Sequence, residues 1–204
     1  YRIVSCNIAR GEQFEPTFLA ISPNNRMPAI VDHEPIGGGE PISVFESGAI
    51  LQYLADKTGR LLPDDPRRRV QAIEWMYWQM ANQGPMCGQA GHFRNYAPDK
   101  IDYAIERYTR EARRLYKVLD KRLVGRDFIA DELSMADILC WPWVHMRDHH
   151  GQSLDDLPDL RRWFEALGAR PGFVRGLAAG AELAADMAGG LDDEAKKNLF
   201  GRKR

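Results

Sequence analysis

Apolar positions change their spacing once along the chain, and that change divides it into two parts. Residues 1–8 are dense in β-branched and aromatic side chains, which predicts a short strand. Residues 12–21 predict a short helix or turn that stops at Ser22-Pro23, because the residue before a proline is pushed out of the α region. Ala29-Ile30-Val31 and the run 42–45, separated by a loop containing Gly37-Gly38-Gly39, predict the two strands of a hairpin. A helix then starts at Ser47 as its N-cap, with Ile50, Leu51 and Leu54 on one face and Gly59 as its stop.

Beyond Pro63 and Pro66 helical spacing takes over, and residues 61–66 form the natural linker. A long aromatic-rich helix is predicted over 67–93 with Ile73, Met76, Tyr77 and Met80 on one side, kinked or broken at Gly84-Pro85. Between 101 and 123 the positions Ile101, Ile105, Tyr108, Ala112, Leu115, Leu119 and Leu123 trace one face of another long helix. Ser134-Met135-Ala136-Asp137 has the form of a capping box, with Leu133 and Ile138 as its hydrophobic staple. Helices are also expected over 160–167 and 171–180. The tail 181–204 is weakly patterned, contains Gly189-Gly190, and is expected to be loosely held. The organisation is therefore a small α/β domain over residues 1–60 followed by an all-helical domain over 67–180.

Composition narrows the partners. With 44% apolar and 28% charged residues among 204, the chain has material for a core and charge for solubility. A formal net charge of -1 offers no attraction for nucleic acid or an anionic membrane, so neither is an expected partner. No apolar run reaches the roughly 18 residues that a membrane helix needs. Cys6, Cys87 and Cys140 form no CxxC and no metal-ligand spacing; this predicts a cytoplasmic protein without a disulfide framework or a metal.

Two clusters carry candidate chemistry. In Asn24-Asn25-Arg26-Met27-Pro28-Ala29-Ile30-Val31 a polar turn meets a proline at a strand start. A cis bond there would turn the Met27 amide and carbonyl outward, free to pair with an extended peptide. In Phe45-Glu46-Ser47-Gly48-Ala49-Ile50 a strand ends in an acid beside a helix start. The positive helix end suits a carboxylate and Glu46 suits an ammonium, so together they meet both charges of a free amino-acid end. Taken singly, each is also an ordinary turn or cap. His92 beside Phe93 could border a second-substrate site, but a lone histidine at a helix end is more often structural. Trp75, Tyr77, Trp78, Trp141 and Trp143 are expected in the core and at a domain interface.

In combination these features resemble the glutathione transferase superfamily. The segments Ile21-Ser22-Pro23-Asn24-Asn25-Arg26-Met27-Pro28-Ala29-Ile30-Val31-Asp32-His33, Phe45-Glu46-Ser47-Gly48-Ala49-Ile50-Leu51 and Tyr103-Ala104-Ile105-Glu106-Arg107-Tyr108 are similar to its bacterial Nu class in particular. The resemblance implies a thioredoxin-like first domain, a helical second domain, glutathione as co-substrate and a homodimer. By position it implies that the backbone of Met27, set by Pro28, pairs with the cysteinyl part of glutathione, and that Glu46 and Ser47 hold its γ-glutamyl end. Gln13 and Arg26 would line the same cleft, and Arg107 would approach the ligand, either within its own subunit or across the homodimer. Arg107, Arg110, Arg113 and Arg114 among Glu106 and Glu111 equally suit a solvated helix face.

The resemblance also implies a strand and a helix ahead of the segment matching Tyr1, with the catalytic residue at the end of that strand. No catalytic residue is therefore assigned, and tyrosine, serine, cysteine or a Thr-x-Asn arrangement stay open. The activity implied is disulfide reduction by thiol–disulfide exchange through bound glutathione. The alternatives are conjugation of glutathione to small electrophiles and a non-enzymatic interaction module of the same fold. Reduction is not expected to use Cys6, Cys87 or Cys140, since none begins a helix and none has a second cysteine nearby.

Overall fold

A computed structural model of the chain describes residues 1–179, 181 and 192–201. It separates into two compact units, residues 1–50 with the described part of 171–204, and residues 51–170. In the first unit, strands β1 (Ala29–Asp32) and β2 (Ile42–Phe45) pair antiparallel in the register Ala29↔Phe45, Ile30↔Val44, Val31↔Ser43 and Asp32↔Ile42. This is the expected hairpin. Ahead of it lie 3₁₀ turns at Ile8–Arg10 and Glu12–Phe14 and the single helical turn α1 (Pro16–Leu19), which starts on a proline whose missing amide costs nothing there.

The strand expected over residues 1–8 does not form. A β-rich composition becomes a strand only with a ladder partner, and the sheet of the described residues contains β1 and β2 alone. Tyr1, Ile3 and Val4 are accordingly exposed.

Helix α2 (Ser47–Thr58) follows β2 directly and stops at Gly59, which takes the left-handed conformation with φ 63°. In the second unit, α3 (Pro66–Trp78) starts under an Asp65 cap that accepts from the Arg68 amide at 3.0 Å. The expected break at Gly84-Pro85 is a π-helical turn at Gln79–Gln83, from which α4 (Gly84–Asn95) continues. Helix α5 (Asp102–Arg122) buries Ala112, Leu115 and Leu119 of the expected face together with Tyr116, while Ile101, just ahead of the helix, is exposed. Helices α6 (Met135–His145) and α7 (Pro158–Gly168) complete a core in which Trp163, Leu160, Leu167, Ile129 and Leu123 are fully enclosed. Tyr77 is 62% exposed, contrary to the core place expected for it: the neighbouring Met76 takes the inward position.

Helix α8 (Pro171–Ala178) and helix α9 (Asp193–Phe200) belong with the first unit. Of the tail expected to be loosely held, residues 182–191 and 202–204 lie outside the described residues. Its described part is the helix α9, capped by Asp192 on the Ala195 amide at 2.7 Å and buried at Ala195.

Candidate functional site

The hairpin register brings the two sequence clusters together. Because Ala29 faces Phe45, the residues just before β1 and just after β2 leave the same end of the ladder, so Met27-Pro28 and Glu46-Ser47 are neighbours. The Met27-Pro28 peptide bond is cis, and Met27 is 47% exposed.

The turn before it is fixed from inside. The fully buried Ser22 donates its hydroxyl to the Arg26 carbonyl at 2.8 Å, and the Asn25 amide donates to the Ser22 carbonyl at 2.9 Å. Asn25 itself sits at φ 48°, a left-handed conformation that asparagine tolerates better than most residues. Arg26 is exposed beside Met27.

At the other side of the ladder end, Glu46 has φ 70° and its carbonyl accepts from the Ile50 amide at 2.9 Å. Glu46 therefore holds the N-cap place and Ser47 is the first helical residue, one position away from expectation. The left-handed turn at Glu46 is what lets a strand enter a helix without an intervening loop. It leaves the Glu46 side chain exposed and Ser47 half-buried at a helix start whose first amides have no acceptor within the helix. A carboxylate can be received by that end and an ammonium by Glu46.

Gln13, on the Glu12–Phe14 turn, is only 5% exposed, and its Oε1 accepts no hydrogen bond within the described residues. A buried acceptor without a partner is uncommon and suits a site completed by a ligand donor. Arg107 lies on α5 in the other compact unit and is exposed. Its charge helps, after Arg114, to hold the Glu111 carboxyl below the usual carboxylate range, while Arg110 pairs with Glu106 at 3.4 Å. Arg110 and Arg114 thus pair along the helix as on a solvated face, whereas Arg113 leaves it to donate to the Ser153 carbonyl at 2.7 Å. His92 packs edge-on against Phe93 at 5.3 Å, and Phe93 stacks on Tyr108 at 5.4 Å.

The thiols are poor nucleophiles. Burial pushes the Cys87 thiol up to about 12, burial raises Cys140 well above its ordinary value, and burial together with Glu12 raises Cys6. No group of three or more side chains suited to a metal occurs among the described residues. No helix of the described residues is long and apolar enough to cross a membrane.

Two features were not read from the sequence. Glu12 accepts from the Asn7 amide at 2.5 Å and closes the turn before Gln13, and Asn198 of α9 donates to the Ala9 carbonyl at 2.8 Å. The first had a local signal in the Asn7 and Glu12 that flank Gly11; the second had none.

Residues 1–56 match the family described as glutathione S-transferase, N-terminal domain, and residues 102–166 match glutathione S-transferase, C-terminal domain. The chain is 49% identical over 172 residues to the disulfide-bond oxidoreductase YfcG of Escherichia coli, covering 84% of this chain and 80% of that protein. Among solved structures it is similar to a glutathione transferase from Burkholderia graminis with two glutathione molecules bound per subunit, at a TM-score of 0.83 and 39% identity over 89% of this chain and 78% of that one. It is also similar to a glutathione transferase from Pseudomonas putida with one glutathione disulfide bound per subunit, at a TM-score of 0.81 and 39% identity over 87% of this chain and 80% of that one.

Proposed function

The chain belongs to the glutathione transferase family, and from that premise we propose that it binds glutathione at the open end of the β1–β2 hairpin and uses it to reduce small disulfides. The observation that carries this reading is the register Ala29↔Phe45, which sets an exposed cis Met27-Pro28 backbone beside an acid and a helix start. A tripeptide with an amino-acid head and an extended backbone matches both halves of that arrangement.

In this reading Met27, positioned by Pro28, pairs with the cysteinyl backbone, Glu46 takes the ammonium, and Ser47 with the α2 amides takes the γ-glutamyl carboxylate. Gln13 offers its buried Oε1 to a ligand N–H, and Arg26 supplies positive charge. Residues 1–60 act as the glutathione-binding domain and 67–180 as the helical domain, with α9 returning to the first.

The reaction needs no cysteine of the chain. One glutathione thiolate attacks a sulfur of the substrate disulfide; a new S–S bond forms as the old one breaks, and the departing thiolate takes a proton. A second glutathione thiolate then attacks the mixed disulfide at the glutathione sulfur and releases the remaining substrate thiol and glutathione disulfide. Two thiols are oxidised for each disulfide reduced. The similar proteins with two glutathione molecules and with glutathione disulfide bound are consistent with the two ends of that sequence.

The protein works in this reading as a homodimer in a reducing cytoplasm. Its cysteines are all free, and α3 carries the apolar Val70 and Tyr77 exposed on one face. The test is a glutathione titration by calorimetry followed by parallel assays with a small mixed disulfide and an aromatic halide. Binding with turnover of the disulfide is expected. Turnover of the halide alone would assign conjugation instead, and no binding would leave a non-enzymatic module.

A further inference from the structure

The turn that carries Gln13 is held from the far end of the chain. Within the turn, Asn7 Oδ1 accepts from the Ala9 amide at 3.1 Å and from the Arg10 amide at 3.3 Å, while Glu12 Oε2 accepts from the Asn7 amide at 2.5 Å. Gly11 closes it at φ 81°. Helix α9 packs on the outside, where Asn198 Nδ2 donates to the Ala9 carbonyl at 2.8 Å. The same amide lies 3.4 to 3.6 Å from the point where a Cβ on Gly11 would stand, ordinary van der Waals contact that sets Asn198 directly against the turn. Ala195, one turn earlier on α9, is buried.

Gln13 follows Gly11 by two residues, and its buried Oε1 has no hydrogen-bond partner among the described residues. A side chain that does not anchor itself depends on its backbone for its place. That backbone has an inner frame, Asn7 with Glu12, and an outer clamp, Asn198. We propose that Asn198 is a positioning residue for the glutathione site: it fixes the turn at residues 7–11 so that Gln13 presents its amide to bound glutathione. This rests on the reading of the hairpin end as that site. The C-terminal helix thereby becomes part of the binding apparatus without touching the ligand.

The full chain is titrated with glutathione by calorimetry and assayed for reduction of a small disulfide, as wild type, Asn198→Ala, Asn198→Asp, Lys197→Ala and Gln13→Ala, and as the double variant of Asn198→Ala with Gln13→Ala. Asn198→Asp keeps the shape of the side chain and removes the donor, so it reports the hydrogen bond even if the alanine variant loosens α9. Both Asn198 variants are expected to raise Kd and KM for glutathione about 3- to 10-fold, the range of one net hydrogen bond, with kcat within about twofold. Lys197→Ala, on the exposed face of the same helix, is expected to match wild type. In the Gln13→Ala background the Asn198 effect should disappear, which a merely structural role would not produce. Wild-type affinity in both Asn198 variants, or an undiminished effect without Gln13, overturns the inference alone. A wild-type chain that does not bind glutathione overturns the reading of the site and the inference with it.

Discussion

Two helix starts in this chain are built from the same pair of groups, a serine and a carboxylate, and turn the acid in opposite directions. At the start of α6, Ser134 is the N-cap and Asp137 lies one turn in, both buried. Asp137 Oδ1 accepts from the Ile129 amide at 3.0 Å and from the Trp163 indole at 2.9 Å, while Oδ2 accepts from the Ser134 amide at 3.0 Å and its hydroxyl at 3.2 Å. Every lone pair is used inside the protein. At the start of α2 the acid comes first, in a left-handed turn that throws Glu46 outward and leaves Ser47 half-buried. The order of the two residues and the sign of one φ angle decide whether the acid turns into a core or out to solvent. The first arrangement contributes stability; the second is the one proposed above to receive the ligand.

The largest effect that separates them is on folding. Asp137→Ala leaves the Ile129 and Ser134 amides and the Trp163 indole as buried donors without an acceptor, each costing about 1 to 3 kcal/mol. A loss of about 3 to 5 kcal/mol is expected in urea unfolding. The folded fraction should keep wild-type glutathione affinity. A loss below about 1 kcal/mol would show that the α6 start is not the node described.

A second effect on the same unit comes with pH. Burial, and then the neighbouring His149, lowers His150 from its ordinary 6.5 to about 4. The unfolded chain therefore takes up this proton before the folded one does. Stability from this group is complete above about pH 6.5 and is lost as pH falls towards 4, by about 2 to 4 kcal/mol at the lower end. Unfolding free energies measured across that window should slope accordingly, and the slope should shrink in His150→Gln. An unchanged slope in that variant would place the proton elsewhere.

At the α2 start the balance should invert. Ser47 is the first helical residue and not the cap, so Ser47→Ala should cost less than about 1 kcal/mol of stability. Loss of a hydrogen bond to a carboxylate should weaken glutathione about 10- to 100-fold, or about 1.5 to 3 kcal/mol. Glu46→Gln should behave similarly through the ammonium. Calorimetry that finds wild-type affinity in both variants would break the comparison at its ligand end.

What could be read along the chain follows from how far each signal reaches. The hairpin, the break at Gly84-Pro85 and the capping box all rest on residues within a few positions of one another, and all three form. The strand expected over residues 1–8 needed a partner that a local pattern cannot supply. Ser47 was one place from the cap because the left-handed turn belongs to Glu46, a residue that rarely adopts it. The Trp163 indole on Asp137 and the Asn198 amide on Ala9 join residues 26 and 189 positions apart, and no spacing rule points to either. Gln13, Arg26, Met27, Pro28, Glu46 and Ser47 could be proposed together only through resemblance. The hairpin register is what makes four of them neighbours.

The smallest expected effect tests the chemistry of the site and not its shape. Thiol exchange needs an accessible thiolate, and the fraction of thiolate falls tenfold for each unit by which the pKa exceeds the pH. Cys87, with a pKa pushed up to about 12 by burial, and Cys140, raised well above its ordinary value by burial, are protonated at neutral pH and expose no surface. Cys6 is partly buried, and its thiol is raised by burial and by the Glu12 carboxylate, the same group that holds the Asn7 turn. In the native protein a thiol reagent should therefore react slowly with Cys6 and only after unfolding with the other two. Changing all three to alanine removes every sulfur nucleophile in the described chain and leaves Met27, Glu46 and Ser47 untouched. If the attacking sulfur belongs to bound glutathione, this variant binds glutathione and reduces a small disulfide at a rate within a few-fold of wild type. A folded variant with intact binding and no turnover would show instead that one of these thiols enters the exchange, and the glutathione-only sequence would have to be abandoned.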